Sequence, residues 1–342
     1  MDEEIIDIIK SLEKDASTRV EETKQSLALR FIDSGAAVSL FLGLNPKNKT
    51  RYLFIHVKEK LSSKTVTNLP MWNGLTIVQN KTSIPLAGYY DEWFLVLSHQ
   101  EEYDHKIFEA VIENICNDLL SLSQYGDMLS KLQRNLERWR SFFSINGWEG
   151  LSQEAEIGLY GELWVLRELL QNDPNTIENW VGPEKEPNDF QKSAIALEVK
   201  TITSKKHYKV FINNEKQLDD IGLKGLFLLA VVMRKIDSGE TLFEIIESVR
   251  RELVNDPYSL NLFEEKLFLV GYLDIHSDLY DTGFVFQELL SYQVFDGFPR
   301  LLSKELHNGV GDLRYSINLG ACEPYKVEFK EIINIYAQNE EK

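Results

Sequence analysis

The sequence predicts an α/β protein in which a β-rich N-terminal region precedes a mixed sheet flanked by helices. Up to about residue 100, short apolar runs alternate with turn-forming residues, a pattern typical of strands. From residue 152 onward, helical and strand-like segments alternate, which favours a sheet packed against helices. The 342 residues suffice for about two domains at roughly 150 residues per domain.

The N-terminal part of the chain is predicted to be mainly β structure. A short amphipathic helix is expected first, because Ile5, Ile8, Ile9 and Leu12 fall at helical spacing. Four apolar segments then have the length and composition of strands: VSLFLGL, RYLFIHV, LTIVQN and EWFLVLS. We assign residues 1–100 to a β-rich domain.

Two helices, a break and a second domain are predicted to follow. The helices cover about 102–124 and 126–145, and a break at Ile145–Trp148 ends them. We therefore treat residues 101–150 as a helical connector and residues 151–342 as one domain with C-terminal additions. Its predicted strands include LFLLAVVM, KLFLVGYL and LRYSINL.

Charge and cysteine content narrow the possible functions. The chain has 37 Lys and Arg against 54 Asp and Glu, a net charge of −17, which argues against binding nucleic acid through bulk positive potential. A local basic groove remains compatible with that charge. Two cysteines without a Cys-x-x-Cys pair argue against a disulfide scaffold or structural zinc site and indicate a reducing cytoplasm. No apolar run is long enough to span a membrane.

Several well-known catalytic motifs are missing from the sequence. It contains no phosphate-binding Gly-x-x-x-x-Gly-Lys-Ser/Thr loop, no His-Glu-x-x-His and no Gly-x-Ser-x-Gly. The six histidines are scattered without the spacing of metal ligands.

One helix carries a carboxylate on its apolar stripe. In AEIGLYGELWVLRELL, Glu162 lies between Leu159 and Leu166, two of the leucines that define the stripe. A carboxylate facing a core is costly unless it is paired or binds a cation. Glu162 is thus either a ligand or a residue at the edge of the stripe, and the helix alone does not decide between the two.

A strand pattern follows in NDFQKSAIALEVKTI. Its alternation places Glu198 and Lys200 on the same face, about 7 Å apart. Asp189 lies nine residues before Glu198, which suits a neighbouring antiparallel strand joined by a turn at Gln191–Ser193. Asp189 and Glu198 would then converge beside Lys200. Taken alone, the pattern fits an amphipathic strand with a charged solvent face better than it fits a catalytic site.

The chemistry of these residue types suits metal-assisted phosphodiester hydrolysis. Paired carboxylates are hard oxygen ligands for Mg²⁺, which polarises a phosphate and lowers the pKa of water. A neighbouring lysine can orient the water, favour hydroxide or stabilise the growing negative charge.

Together these segments resemble the PD-(D/E)XK nuclease superfamily, whose pattern is a helical glutamate, an aspartate on one strand and Glu-x-Lys on the next. The similarity is closer still to a prokaryotic family termed "PD-(D/E)XK motif protein", which shares the GLxGE helix, a Trp-x-Gly-Pro turn and an E-V-K-T strand. Here these are GLYGE, Trp180–Pro183 and Glu198–Thr201. The chain departs from the pattern in one place, because Asn188 separates Pro187 from Asp189.

The resemblance implies a restriction-endonuclease-like core and specific roles for the site residues. Asp189 and Glu198 would bind Mg²⁺, with Mn²⁺ as a substitute. Glu162 would complete the metal site, and Lys200 would be the catalytic lysine. The implied activity is single-step DNA hydrolysis in defence against phage or foreign DNA. The alternative is a catalytically inactive, DNA-binding or scaffold subunit. DNA, other defence-system proteins and a second copy in a homodimer are the expected partners.

A basic stretch directly after this strand is a candidate DNA-binding surface. Residues 199–216 contain five lysines and one acid. If residues 208–212 form the third strand of a meander, Lys205 and Lys206 lie in its leading turn, where with Lys209 they would bind a phosphate backbone. Gln217, on a possible next helix, would reach a phosphate. A solvated basic hairpin is the alternative.

Overall fold

The computed structural model describes residues 5–18, 27–32, 37–99, 105–204 and 208–338. The chain divides into two units, Met1–Trp148 and Glu149–Lys342. Within the described ranges, no helix is both long and apolar enough to cross a membrane.

The first unit is built around a five-stranded antiparallel sheet. Its elements are α1 (Ile5–Thr18), β1 (Ala28–Ile32), β2 (Leu40–Leu44), β3 (Arg51–Val57), α2 (Ser63–Thr67), β4 (Leu75–Ile84), β5 (Tyr89–His99), α3 (His105–Leu120) and α4 (Met128–Asn146). The strand order is β1-β2-β3-β5-β4, and neighbouring strands pair antiparallel. The four strands, the N-terminal helix and the two later helices predicted from the sequence are present.

Strand β1 was not predicted. Its sequence, ALRFI, is short and places Arg30 at its centre, where an apolar run would be expected. It pairs with β2 at the edge of the sheet, where a charged residue can stay exposed.

The second unit contains a mixed sheet flanked by helices, as the sequence predicts. Its elements are α5 (Gln153–Leu170), β6 (Phe190–Lys192), β7 (Ile195–Ile202), β8 (Lys209–Ile212), β9 (Gly225–Glu240), α6 (Leu242–Leu253), α7 (Pro257–Val270), β10 (Phe284–Gln293), β11 (Tyr315–Asn318) and α8 (Phe329–Gln338). The main sheet has the order β10-β9-β7-β6, and β8 pairs with β11 in a separate ribbon.

The two faces of the main sheet bury different layers. Leu197 and Val199 of β7 pack in the core that includes residues of α5, α6, α7 and α8. Ala196 and Ile202 pack in a second core that includes residues of β8 and β11. Glu198 and Lys200 alternate with the first pair, so they lie on the ribbon side of the sheet.

The prediction of a strand at KLFLVGYL is wrong, because this segment belongs mainly to helix α7. Asp256 caps the helix by accepting hydrogen bonds from the backbone N–H groups of Tyr258 and Ser259, and Pro257 occupies the first turn. Gly271, in the left-handed conformation at φ 93°, ends it. A short apolar run fits a buried helix as well as a strand. The start signals of the helix, Asp256 and Pro257, lie well before the run, so the run alone does not indicate a helix.

The meander expected after β7 is also wrong. Strand β8 pairs with β11, about a hundred residues later, while β7 lies between β6 and β9. Strands β7 and β9 run parallel, with Ile195 opposite Gly225. The first half of β9 is apolar on both faces, as expected of a parallel strand at the centre of a sheet.

Gly161 allows helix α5 to lie close against β7. A Cβ atom at this position would overlap Oγ1 of Thr201. We expect Gly161→Ala to lower the free energy of unfolding by about 1–3 kcal/mol, because overpacking outweighs the gain in helix propensity. Urea denaturation checks this, and adding Thr201→Ala should restore most of the loss. A double variant as unstable as Gly161→Ala would contradict the contact.

Candidate active site

Four charged side chains meet at the floor of one groove in the second unit. Helix α5 carries Glu162, the residue before β6 is Asp189, and β7 carries Glu198 and Lys200. Glu162, Asp189 and Lys200 line the groove, which has a volume of about 440 Å³, and Glu198 is fully buried. The structure therefore brings together the four residues that the sequence singled out.

Antiparallel pairing places Asp189 across from Glu198. Phe190 of β6 lies opposite Leu197, so Asp189, one residue before β6, lies opposite Glu198, one residue further along β7. The backbone N–H of Val199 donates to Oδ2 of Asp189 at 2.7 Å. This hydrogen bond fixes the carboxylate against the strand that carries Glu198 and Lys200.

The turn between these strands differs from the prediction. Gln191 and Lys192 belong to β6, and the turn is made by Ser193 and Ala194. Ser193 adopts the left-handed conformation at φ 54°, which completes the tight connection without a glycine. The nine-residue separation of Asp189 and Glu198 is unaffected, because the register depends on the pairing itself.

Glu198 and Lys200 form a buried ion pair. Nζ of Lys200 lies 2.6 Å from Oε1 of Glu198, and the Lys200 side chain is 15 % exposed. The side-chain amide of Asn188 donates to Oε2 of Glu198 at 3.4 Å and to the backbone carbonyl of Gln217 at 2.8 Å. The residue that interrupts the Pro-Asp pair thus links Glu198 to the turn that carries Gln217.

Glu162 is held by a tryptophan that the sequence analysis did not assign to the site. Nε1 of the fully buried Trp180 donates to Oε2 of Glu162 at 2.9 Å. Nζ of Lys266 in turn donates to the backbone carbonyl of Trp180 and to Oε1 of Glu184, both at 2.6 Å. Two sequence signals point to this support: the Trp-x-Gly-Pro motif and a lysine inside the apolar part of α7.

Gly182 lies against the carboxylates of Asp189 and Glu162. A Cβ atom on Gly182 would be 3.1 Å from Oδ1 of Asp189 and 3.3 Å from Oε2 of Glu162. The backbone N–H groups of Val181 and Gly182 also donate to the carbonyl of Asp189, at 2.9 and 3.0 Å. The Trp-x-Gly-Pro turn therefore positions both carboxylates, and its glycine leaves room for them.

The ionisation of the site reflects its burial. Burial raises the pKa of Glu198 to about 8, the nearby Asp189 adds to the rise, and Lys200 only partly opposes it. Burial and Asp189 also hold the pKa of Glu162 well above its usual value, and burial raises the pKa of Asp189. Burial lowers the pKa of Lys200, but Glu198 and Asp189 outweigh it and raise the pKa, so the lysine stays protonated.

The composition of the site fits a divalent cation. When ionised, Glu162, Asp189 and Glu198 carry −3 and Lys200 carries +1, which leaves a net charge of −2 in a poorly solvated place. Buried charge of this kind is costly without a counter-charge, and carboxylate oxygens are the ligands that Mg²⁺ prefers. Asp189 and Glu162 are both partly open to the groove, so an ion can reach them.

A second acidic cluster lies in the first unit. Among the described residues, Glu13, His105 and Glu109 form the one group of three whose candidate ligand atoms all lie within 4.8 Å of one another. Arg51 forms ion pairs with both glutamates, so their charge is already compensated. The groove carboxylates are less tightly gathered but carry the larger uncompensated charge.

The predicted DNA-binding residues have different positions. Lys209 is exposed on β8 and lines the groove. Gln217 also lines it, on a short 3₁₀ helix (Glu215–Leu218), and its Oε1 accepts a hydrogen bond from the backbone N–H of Asn213 at 2.7 Å. Lys205 and Lys206 lie outside the described residues.

Comparison with known proteins identifies the family. The family profile DUF4420, described as "Putative PD-(D/E)XK family member", matches residues 7–320. No curated protein and no solved structure matches the chain. The match spans most of both units, includes all four groove residues, and accords with the mixed sheet and flanking helices of the second unit. The chain belongs to this family, and through it to the PD-(D/E)XK superfamily that its sequence resembles.

Proposed function

We propose that the protein is a metal-dependent deoxyribonuclease that hydrolyses DNA phosphodiesters, with Mg²⁺ as its ion and Mn²⁺ as a substitute. The observation that carries the proposal is the convergence of Glu162, Asp189, Glu198 and Lys200 at the floor of one groove. Membership of a PD-(D/E)XK family supports a nuclease-like chemistry for that site.

Each groove residue has a distinct part in the proposed reaction. Asp189, Glu162 and Glu198 would hold the ion, which when bound polarises the phosphate and lowers the pKa of water. Lys200 is protonated and fixed by Glu198, so it suits the stabilisation of negative charge on the phosphoryl oxygens and not proton abstraction. We propose single-step hydrolysis without a covalent enzyme intermediate.

We further propose a role in defence against phage or foreign DNA in the cytoplasm, together with other defence proteins or as a homodimer. The net charge of −17 supports a requirement for a partner subunit in DNA binding. An acidic body attracts DNA weakly, because nonspecific affinity comes mainly from Lys and Arg contacts to phosphates. Affinity must therefore come from the groove or from another subunit.

The metal requirement is the direct test of the proposed function. Purified protein is incubated with plasmid, linear duplex and single-stranded DNA in Mg²⁺, Mn²⁺ or EDTA, and products are followed on gels. We expect cleavage with Mg²⁺ and Mn²⁺ and none in EDTA, since the carboxylates alone cannot polarise a phosphate. Cleavage that persists in EDTA would contradict the proposal. DNA binding without cleavage in every condition would favour the inactive-subunit alternative.

A further inference from the structure

The ribbon formed by β8 and β11 presents an aromatic side chain that two cations contact. Phe211 is 50 % exposed. Nζ of Lys209 lies 5.1 Å from the centroid of its ring, and Cζ of Arg314 lies 5.4 Å from it. Both distances are typical of cation–π contacts. We call Phe211, Lys209 and Arg314 the ribbon platform.

Packing of the ribbon does not require an aromatic residue at this position. The alternation of β8 buries Val210 and Ile212 in the core beneath the ribbon, so Phe211 projects from the opposite face. That face borders the groove whose floor holds Asp189 and Lys200. A single exposed ring is ordinary on a protein surface, but Phe211 lines a charged groove and is contacted by Lys209 and Arg314. Aromatic faces combined with positive charge are typical of sites that bind single-stranded nucleic acid.

The platform has the chemistry that recognises a nucleobase together with its phosphates. Bases of single-stranded nucleic acid stack on aromatic side chains, while Lys and Arg bind the backbone on either side. Bases inside a duplex are already stacked on their neighbours and offer no free face. An exposed phenylalanine therefore selects for an unpaired base.

We infer that the ribbon platform binds an unpaired base of DNA, so that the substrate entering the groove is single-stranded or locally unpaired. This inference rests on the proposed function, because it names the substrate class of the same site. The base would stack on Phe211 in place of a cation that now lies over the ring, and the exposed side chains of Lys209 and Arg314 would turn to the flanking phosphates.

Arg314 can exchange its present partner for a phosphate. It pairs with Glu154 at 3.0 Å, and the two side chains are 57 % and 81 % exposed. Exposed ion pairs of this kind contribute little to stability, whereas an Arg–phosphate contact can be bidentate. Glu154 lines the same groove, and because its carboxylate is exposed, it can release Arg314 without leaving an unpaired charge in the interior.

The test compares DNA binding by Phe211→Ala, Phe211→Trp and wild type. Fluorescence anisotropy is measured in EDTA at low salt with a labelled 12-nucleotide single strand and with the matching duplex. We expect Phe211→Ala to bind the single strand about 5- to 150-fold more weakly, and Phe211→Trp to bind it about as well as wild type. The matched control is Phe243→Ala, which removes an exposed phenylalanine of α6 outside the groove and should change nothing.

A second readout separates stacking from general loss of affinity. The fluorescence of 2-aminopurine placed along the single strand should change on binding to wild type at one position and should not change there on binding to Phe211→Ala. Equal affinities of Phe211→Ala and wild type, an equal loss for duplex and single strand, or no single-strand binding by wild type would each overturn the inference.

The outcomes for the platform and for the proposed hydrolysis can be told apart. Metal-dependent cleavage together with Phe211-independent binding would leave the nuclease proposal standing and remove the platform. Phe211-dependent binding without cleavage in Mg²⁺ or Mn²⁺ would support the platform and contradict the nuclease proposal.

Discussion

Asp189→Asn is expected to reduce DNA cleavage by at least about 10³-fold, because it removes a charged ligand from a site whose metal contributes several kcal/mol to the transition state. Lys200→Met is expected to lower the cleavage rate by about 10²–10³-fold, the usual cost of removing one group that stabilises developing charge. Initial rates of plasmid nicking at saturating Mg²⁺ measure both effects.

Loss of folding does not account for the expected effect of Asp189→Asn. The asparagine keeps an oxygen that can accept the hydrogen bond from Val199, and the backbone carbonyl of residue 189 still receives its two hydrogen bonds. Matched controls are Asp237→Asn and Lys224→Met, which alter exposed residues that do not line the groove. Cleavage by Asp189→Asn at the wild-type rate would show that the groove is not the metal site.

The part of the site that the sequence predicts is the part made by local pairing. Asp189 and Glu198 lie on adjacent antiparallel strands, so the number of residues between them and the alternation of β7 suffice to place them together. Lys200 follows from the same alternation. Helical periodicity does not decide whether Glu162 is a ligand or an edge residue, because its contact with Trp180 joins residues 18 positions apart.

The remaining features depend on contacts between distant segments, which no local pattern encodes. Lys266 reaches Trp180 across 86 residues, and β8 meets β11 across about a hundred. The ribbon platform exists only because that pairing brings Arg314 beside Phe211. Periodicity shows which face of a strand is buried, but it does not show which partner covers that face.

Buried charge is the feature that links the stability of the protein to its proposed chemistry. Glu198 is fully buried, and the pKa values of Glu162, Asp189 and Glu198 are all raised, so the groups that would bind the ion destabilise the metal-free fold. Functional sites commonly lower stability in this way. A ligand that binds only the folded state offsets that cost.

Metal-free protein is accordingly expected to lose stability as the pH rises. The pKa of Glu198 is about 8 in the folded state, against 4.5 for an unperturbed glutamate. Between those values the folded state holds a proton that the unfolded state has released, so the free energy of unfolding falls with increasing pH. The stabilisation is complete below about pH 4.5 and is lost by about pH 8, a change on the order of 5 kcal/mol. The raised pKa values of Glu162 and Asp189 act in the same direction.

Glu162→Gln tests this prediction, because the amide is uncharged and its oxygen can still accept the hydrogen bond from Trp180. In EDTA at pH 8.5 the variant should be more stable than wild type by at least about 1 kcal/mol, or roughly 2–4 °C in Tm, and the two should converge at pH 5. Mg²⁺ should raise the Tm of wild type at pH 8.5 more than that of the variant. Glu178→Gln, at an exposed position near Trp180, is the control. Wild-type stability that stays level or rises from pH 5 to 8.5 would contradict the prediction. It would mean that the charges of Glu162, Asp189 and Glu198 are already compensated without metal, which removes the reason for expecting an ion there.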